Sequence, residues 1–433
     1  MCSFVVKFEA ILKINRKQFQ TKNFKGVLSL LAGNTISKMI VTIGGLVLAN
    51  FYGPDSYGVY NVFISYIMIL PVLSGFRLDN IMILQKGSKE IRNLFSGIVS
   101  ITLIMTILMI SVMGVLKLLD VASFQMSFFV LFLTGIGAVL TGWNISQNNL
   151  FTKFKLFKQI STAFVLSSLV SVIFQAIFYF LGWTENGLIY GWIVGLIASF
   201  TYNARVAKGQ LIKVNIPILK ESVKEHINIV KFTYPSDALN AIANNIMPIL
   251  ILFYFTKAEV GIYGMAFKIL SVPLVLLSGS VSRVYFQKAV SLSQSDKKSL
   301  EKLTYKVIFT NVALIAGFVL VMNTLGIYLL DWFLTESWDG LGSYVLALSF
   351  WILARSAMNP IASIVMVINK NHYSLIFNIY LLLVNFIGIY VGVQQNDFLY
   401  CVWIFSILSG IGYLVLLAAV LYNLKKNVKV SKG

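Results

Sequence analysis

Runs of apolar residues, each about as long as a bilayer is thick, alternate with short polar connectors along all 433 residues. Twelve such runs cover about 27–51, 58–84, 94–117, 123–148, 159–181, 187–205, 232–255, 260–287, 306–330, 341–369, 373–393 and 397–422. Some 20 residues rising about 1.5 Å each suffice to cross roughly 30 Å of hydrocarbon. In lipid a backbone must satisfy its own polar groups, so a crossing segment is a helix or a barrel strand. Barrel strands alternate in polarity over about 10 residues. These runs are continuous and longer, which predicts helices and an all-α polytopic membrane protein with about twelve transmembrane spans.

The connectors alternate in charge. One set carries most of the basic residues, including Arg16, Lys17, Lys22 and Lys25, then Lys86, Lys89 and Arg92, Lys153, Lys155 and Lys158, and a long basic stretch from Arg205 to Lys231. The other set holds only Lys117 and Lys257. Lys and Arg concentrate in cytoplasmic loops, so the pattern predicts that both termini and the Arg205–Lys231 stretch are cytoplasmic. Trp183, Trp332 and Trp338 sit at the opposite span ends, as an aromatic belt would. The expected organisation is an N-terminal cytoplasmic segment (1–26), a first half (27–205), a cytoplasmic linker (206–231), a second half (232–422) and a cytoplasmic tail (423–433).

Composition agrees with a lipid environment: 58% of residues are hydrophobic and 12% charged, with mean hydropathy +0.82. A soluble domain carries about twice that charge. The formal net charge of +19 is spread over many connectors rather than gathered on one face, which argues against a nucleic-acid partner. The two cysteines, Cys2 and Cys401, form no disulfide framework. The two histidines, His226 and His372, fall in connectors, and no phosphate-binding Gly-Lys-Ser/Thr loop or metal-ligand spacing occurs. No cofactor is expected. Phe4–Ile14 mixes apolar and charged positions; a short interfacial helix and an unstructured tail are both open.

The connector "NFYGPDSYGVYNVF" (50–63) has an echo about 203 residues later in "FTKAEVGIYGMAF" (255–267). Gly58-Val59-Tyr60 matches Gly261-Ile262-Tyr263, and each opens the second span of a six-span set. Six intervening spans keep both copies in one orientation, a parallel repeat about an axis along the membrane normal. The opening "LLAGNTISKMI…ANFYGPDSYGVYNVFISY" resembles the polysaccharide-transporter branch of the multidrug/oligosaccharidyl-lipid/polysaccharide exporter superfamily. Asp55-Ser56-Tyr57 departs in order from the acidic-aromatic pattern usual there. The resemblance implies two six-helix lobes forming a V, with a cleft lined mainly by spans 1, 2, 7 and 8. It further implies a bacterial cytoplasmic-membrane flippase that moves a polyprenyl-diphosphate-linked oligosaccharide repeat unit for O-antigen, capsule or related polysaccharide. It suggests a monomer, with a polysaccharide polymerase complex among the partners.

Hydropathy alone places seven ionisable residues inside spans: Lys38, Arg77, Asp79, Asp237, Lys268, Arg283 and Arg355. All but Arg355 lie on spans 1, 2, 7 and 8. A charge at mid-membrane costs roughly 2.5–3.5 kcal/mol and usually faces a bundle interior or water. The cluster therefore predicts a polar, net cationic cavity. Lys38, Lys268, Arg355, Arg77 and Arg283 are the candidate ligands of an anionic, diphosphate-bearing substrate, with Lys38 and Lys268 expected to face each other across the cleft. Asp79 and Asp237 are the candidate ion-coupling carboxylates. For Arg77, Asp79, Asp237 and Arg283, an inner ion pair or snorkelling to the interface is an equal alternative. Asn34, Asn144, Gln147, Gln175, Asn240, Asn244, Asn245 and Asn311 either line the cleft or hydrogen-bond neighbouring helices. Pro71, Pro235, Pro248, Pro273 and Pro360 mark kinks, some of them on the cleft spans. A cation-coupled multidrug exporter of the same superfamily and a membrane-embedded glycan-assembly enzyme remain alternative functions.

Overall fold

A computed structural model describes residues 22–119, 126–368, 370 and 372–430. The first half contains α1 (Lys22–Ala49), α2 (Pro54–Gly75), α3 (Leu78–Leu84), α4 (Ser88–Leu118), α5 (Phe128–Lys153), α6 (Phe157–Phe180) and α7 (Gly187–Val206). A linker helix, α8 (Ile216–Glu225), and a π-helical turn at Ile229–Thr233 lead into the second half. There α9 (Tyr234–Asn245), α10 (Met247–Tyr254) and α11 (Lys257–Ser295) are followed by α12 (Lys297–Val321), α13 (Ile327–Phe333), α14 (Leu341–Met358), α15 (Ile364–Val367), α16 (His372–Gln395) and α17 (Phe398–Val430).

Eleven helical segments among the described residues are long and apolar enough to cross a membrane, and the bent pair Ile229–Asn245 plus Met247–Tyr254 brings the number to twelve. The protein is thus a multi-pass membrane protein. Its outward surface suits lipid: Ile104, Phe309, Leu320, Tyr328 and Trp332 are all exposed, and only a bilayer makes such a surface tolerable.

Several spans are broken where the sequence suggested one helix. The second span ends at Gly75, and Phe76 (φ 48°) and Arg77 (φ 55°) both adopt the left-handed conformation before α3 resumes. Neither is a glycine, and the left-handed region costs an L-residue about 1–2 kcal/mol. The seventh span bends by 47° between α9 and α10, where Pro248 sits in the first turn of the second piece. Pro360 lies in a 3-10 turn that ends α14, whereas Pro71 and Pro273 are carried inside α2 and α11.

Each half folds into its own six-span lobe. In the first, α6 packs along both α1 and α7, and α2 runs between α4 and α5. In the second, α17 packs on α14 and α16, and α9 on α16. The lobes meet through α1 and α2 on one side and α9, α10 and α11 on the other. These are spans 1, 2, 7 and 8, the set expected to line the cleft. Polar side chains glue helices within lobes. Asn144 donates to the carbonyls of Leu140 and Leu196, Gln175 to Leu188 O at 2.9 Å, and Asn311 to Ser356 O at 2.6 Å. Asn240 reaches Asn378 at 2.9 Å. For these four, interhelical bonding is the role the fold gives them. Asn244 and Asn245 bond carbonyls of their own helix.

The linker is clasped to the first lobe. Asn93, fully buried, accepts from the amide of Asn215 at 2.6 Å and donates to its carbonyl at 2.9 Å. Ser96 Oγ accepts from Ile212 N at 2.9 Å, and Gln85 donates to Glu225 at 3.3 Å. Leu219 and Val223 of α8 pack onto the cluster that holds Leu94, Phe95 and Ile98.

Candidate functional site

The seam between the lobes has two ends. At one, the α1–α2 and α10–α11 hairpins meet; at the other, the linker joins the lobes. The hairpin end is closed by backbone. Gly53 precedes α2 in extended conformation and Pro54 starts the helix, a position where its missing N–H is no loss. On the other copy, Thr256 and Glu259 form a capping box at the start of α11. The helix starts then cross so closely that a Cβ on Gly58 would collide with Lys257 O, and one on Gly261 with Pro54 O. Only glycine permits that approach. Asn61 Nδ2 donates to Val260 O at 3.4 Å, and its side chain fills the space left open at Gly264.

Trp338 completes this closure. It is buried (2% exposed), donates from Nε1 to Ala49 O at 2.9 Å, and packs edge-on against Tyr57 at 5.3 Å. The aromatic-belt expectation for Trp338 is therefore corrected. It bolts a loop of the second lobe to the end of α1, whereas Trp332, 83% exposed, stands at the surface as a belt residue would. Position at a span end looks the same for both in sequence.

Below this seal lie the two lysines. Lys38 and Lys268 each stand eleven residues from the hairpin-end terminus of their helices, α1 and α11. That distance is about 16 Å. The Lys268 side chain does not point straight across. A Cβ on Gly45 would run into its Nζ, so the ammonium lies against the α1 backbone near the Tyr57 hydroxyl, which donates to Gly45 O. Lys38 and Gly45 are seven residues apart and share one face of α1. The two positions are thus staggered by two helical turns, about 10 Å, along the same wall. Both side chains are partly buried. Among the described residues, neither lies within ion-pair distance of a carboxylate.

Arg355 sits elsewhere. Its guanidinium stacks over the Trp351 indole at 5.0 Å within the second lobe, and its Nε has no hydrogen-bond partner among the described residues. The Arg283 side chain lies outside the described residues.

The linker end is held by charge. Arg77 Nε donates to Asp237 Oδ2 at 2.7 Å, tying the first lobe to the second. Its Nη1 is 3.8 Å from Asp79 Oδ2, which also accepts from Asn149 at 2.6 Å. Tyr234 donates to Leu73 O at 3.0 Å and rests on Phe76 at 5.1 Å. Arg77 and Asp79 also line a small crevice with Pro71, Gly75, Thr102 and Ser146. Three sequence candidates thus come together as an ion-paired cluster, the alternative the sequence left open for them. Asn149 and Tyr234 belong to the seam without having stood out in the sequence, and Trp338 stood out there only as a belt residue. No group of His, Cys, Asp and Glu among the described residues has metal-binding geometry.

A family model described as "Polysaccharide biosynthesis protein" matches residues 47–342, well over half of the chain. The chain belongs to this family. A curated relative, the teichuronic acid biosynthesis protein TuaB of Bacillus subtilis (strain 168), is 23% identical over 213 residues, covering 48% of this chain. The match spans only 42% of that relative's length. Among solved structures, an inward-facing multidrug resistance MATE family transporter of the MOP superfamily superposes with a TM-score of 0.67 at 16% identity, over 93% of this chain and 99% of that one. The lipid II flippase MurJ in an inward closed conformation gives 0.66 at 15% identity, over 92% and 89%. The family member described here has the MATE/MurJ-like fold.

Proposed function

We propose that the protein flips a polyprenyl-diphosphate-linked oligosaccharide repeat unit across a bacterial cytoplasmic membrane, for O-antigen, capsule or a related polysaccharide, by alternating access between the two lobes. The observation that carries this reading is the pair of lysines at the seam, Lys38 and Lys268, neither facing a carboxylate. A buried cation left unpaired is costly, and a diphosphate passing along the α1 wall supplies the missing anion. Lys and Arg are the usual partners of phosphate oxygens. Arg77 and Arg283, with Arg355 set apart within the second lobe, are the remaining basic candidates for the headgroup and for any acidic sugar. The teichuronic acid connection of TuaB supports an acidic glycan. Asp79 and Asp237 are the acids available for ion coupling. The cleft lies within one chain, which supports a monomer, and handing the flipped unit to a polymerase complex follows from the role.

The likeness to MATE transporters keeps a second reading, cation-coupled multidrug export. That reading needs carboxylates at mid-depth to attract cationic drugs. Lysines occupy that depth, and the acids sit at the linker end on Arg77. A glycan-assembly enzyme is the weakest reading, since no catalytic set gathers at one depth among the described residues. Deleting the gene in its native host and measuring lipid-linked oligosaccharide on the cytoplasmic leaflet tests the proposal. Accumulation restored to normal by the reintroduced chain is the expected result. Unchanged lipid-linked pools together with new drug sensitivity would replace it by the exporter reading.

A further inference from the structure

The two seam ends are built differently, and the difference points to which one opens first. The hairpin end is a backbone-to-backbone closure. Lys257 and Pro54 carbonyls lie on the two glycines, and Trp338 is bolted to Ala49. Parting it requires separating close-packed main chain. The linker end rests on the Arg77–Asp237 pair and the Tyr234–Leu73 hydrogen bond, and both acid and base there are about one-third exposed.

Arg77 is carried on a strained turn. Two successive non-glycine residues in the left-handed region persist only where surrounding contacts over-determine them, and such strain concentrates at switching sites. The turn aims one guanidinium at two carboxylates on different lobes. Asp237 belongs to α9 of the second lobe. Asp79 belongs to α3 of the first and is buried and fixed in place by Asn149.

We propose that Arg77–Asp237 is a latch between the lobes and that, when it opens, Arg77 is handed to Asp79. The two carboxylates therefore have different jobs. Asp237 is the half that leaves, moving with the second lobe. Asp79 is a positioning residue that keeps the guanidinium paired inside the first lobe while the seam is open, so that the open state does not contain a bare buried cation. Without Asp79 the open state loses the carboxylate that holds Arg77, and the seam stays shut. This inference rests on the reading of the protein as a transporter whose lobes move apart, and it is independent of what is carried.

The test uses full-length protein in native membranes, with Cys2 and Cys401 replaced by alanine, and cysteines at positions 73 and 234 joined by a short bis-maleimide; this background lacks the Tyr234 hydroxyl, so Arg77–Asp237 is the tie that the cross-link reads. Cross-link yield reports how often the linker end is closed, and no substrate is needed. Asp237→Asn should lower the rate of cross-linking roughly fivefold or more, the low end of ordinary two-state coupling. Arg77→Gln should lower it equally, and the double variant should fall no further, since both remove one interaction. Asp79→Asn should leave the rate at or above the starting value, and Asp237→Glu should restore most of it. An unchanged rate in Asp237→Asn, at normal membrane abundance, overturns the latch. A fall in Asp79→Asn matching that of Asp237→Asn overturns the hand-off. Failure of either leaves the lipid-linked oligosaccharide assay untouched. A latch seen in a chain whose deletion leaves those pools normal would instead refute only the flippase reading.

Discussion

Gly58 lies on the carbonyl of Lys257, and Gly261 lies on the carbonyl of Pro54. The two glycines are one repeat apart, and so are the two carbonyl-bearing residues, so each copy of the turn makes on the other the contact it receives. A pseudo-two-fold axis along the bundle therefore passes between the starts of α2 and α11. This is why the short connector had to be kept in both halves: the same glycine, four residues into the segment, is pressed against the same position of its counterpart. The repeat in the sequence is the trace of a symmetric contact rather than only of a duplicated span.

That contact makes a first prediction. Gly58→Val or Gly261→Val places branched carbons where a carbonyl oxygen now sits, and a Cβ alone already collides. Small residues at such crossings are what lets membrane helices approach. Either variant should weaken closure at the hairpin end, read as faster labelling of a cysteine at Asn61 by a membrane-impermeant maleimide. Gly53→Ala, where a Cβ meets nothing within 4 Å, should behave as the unchanged protein. Equal labelling in all three would remove the close-packing account.

Trp338 supplies a second. Trp338→Phe keeps most of the ring packing and deletes the donor to Ala49 O; an interhelical hydrogen bond in membranes is worth about 1 kcal/mol. Labelling at the hairpin end should rise by roughly fivefold, the equivalent of that energy. Trp332→Phe, at the exposed surface, should leave it unchanged. A larger effect from Trp332 than from Trp338 would restore the belt role to both.

The apolar runs and the two-by-six plan were legible because bilayer thickness imposes length and because the repeat survives at its symmetric contact; the helices that meet at the seam were expected from the family resemblance and from the charges gathered on spans 1, 2, 7 and 8. The seam chemistry was less so. Arg77 and Asp237 are 160 residues apart, and nothing local in either stretch announces the other. The left-handed turn at Phe76–Arg77 lacks the glycine or asparagine that usually signals one, because tertiary contacts rather than local preference hold it. The span-end rule could not separate Trp338 from Trp332, since burial against Tyr57 depends on a helix from the other half. Lys38 and Lys268 each stand eleven residues from the hairpin end of their helices, but the direction of a long flexible side chain is set by its neighbours, and Lys268 leans to Gly45.

The linker gives a third prediction. Asn93 holds Asn215 by both its amide and its carbonyl. Two hydrogen bonds of about 1 kcal/mol each protect a stretch rich in lysines, and local opening governs cleavage when reclosing is fast. Asn93→Ala should accelerate tryptic cleavage at Lys208 and Lys213 by roughly tenfold or more. Cleavage in inverted but not in right-side-out vesicles would also place the linker in the cytoplasm, as the charge pattern expects. Protection in inverted vesicles with cutting in right-side-out ones would reverse the topology.

The last prediction concerns Lys38 and Lys268. Their backbones stand at one depth on opposing lobes, but the Lys268 ammonium is displaced toward the hairpin end against Gly45. The lysines therefore offer an anion two stations along α1 rather than one clamp. A diphosphate entering from the linker end meets Lys38 first and Lys268 second. Replacing Lys38 by Gln should weaken capture, so transport falls most at low substrate. Replacing Lys268 by Gln should slow passage after capture, so transport falls even at saturating substrate. Lys→Arg at position 38 should keep much of the activity if charge alone is read. At position 268 it should keep little, because the planar, larger guanidinium has no room against the Gly45 backbone. Gly45→Ala, which intrudes on the Lys268 ammonium from the other side, should reproduce the Lys268 defect while Lys38 is intact. The measurement is flipping of a lipid-linked oligosaccharide in reconstituted vesicles over a range of substrate, with membrane abundance checked for each variant. If the two Lys→Gln variants fail alike at every concentration, the lysines form a single site. If the doubly substituted chain transports fully, neither touches the substrate.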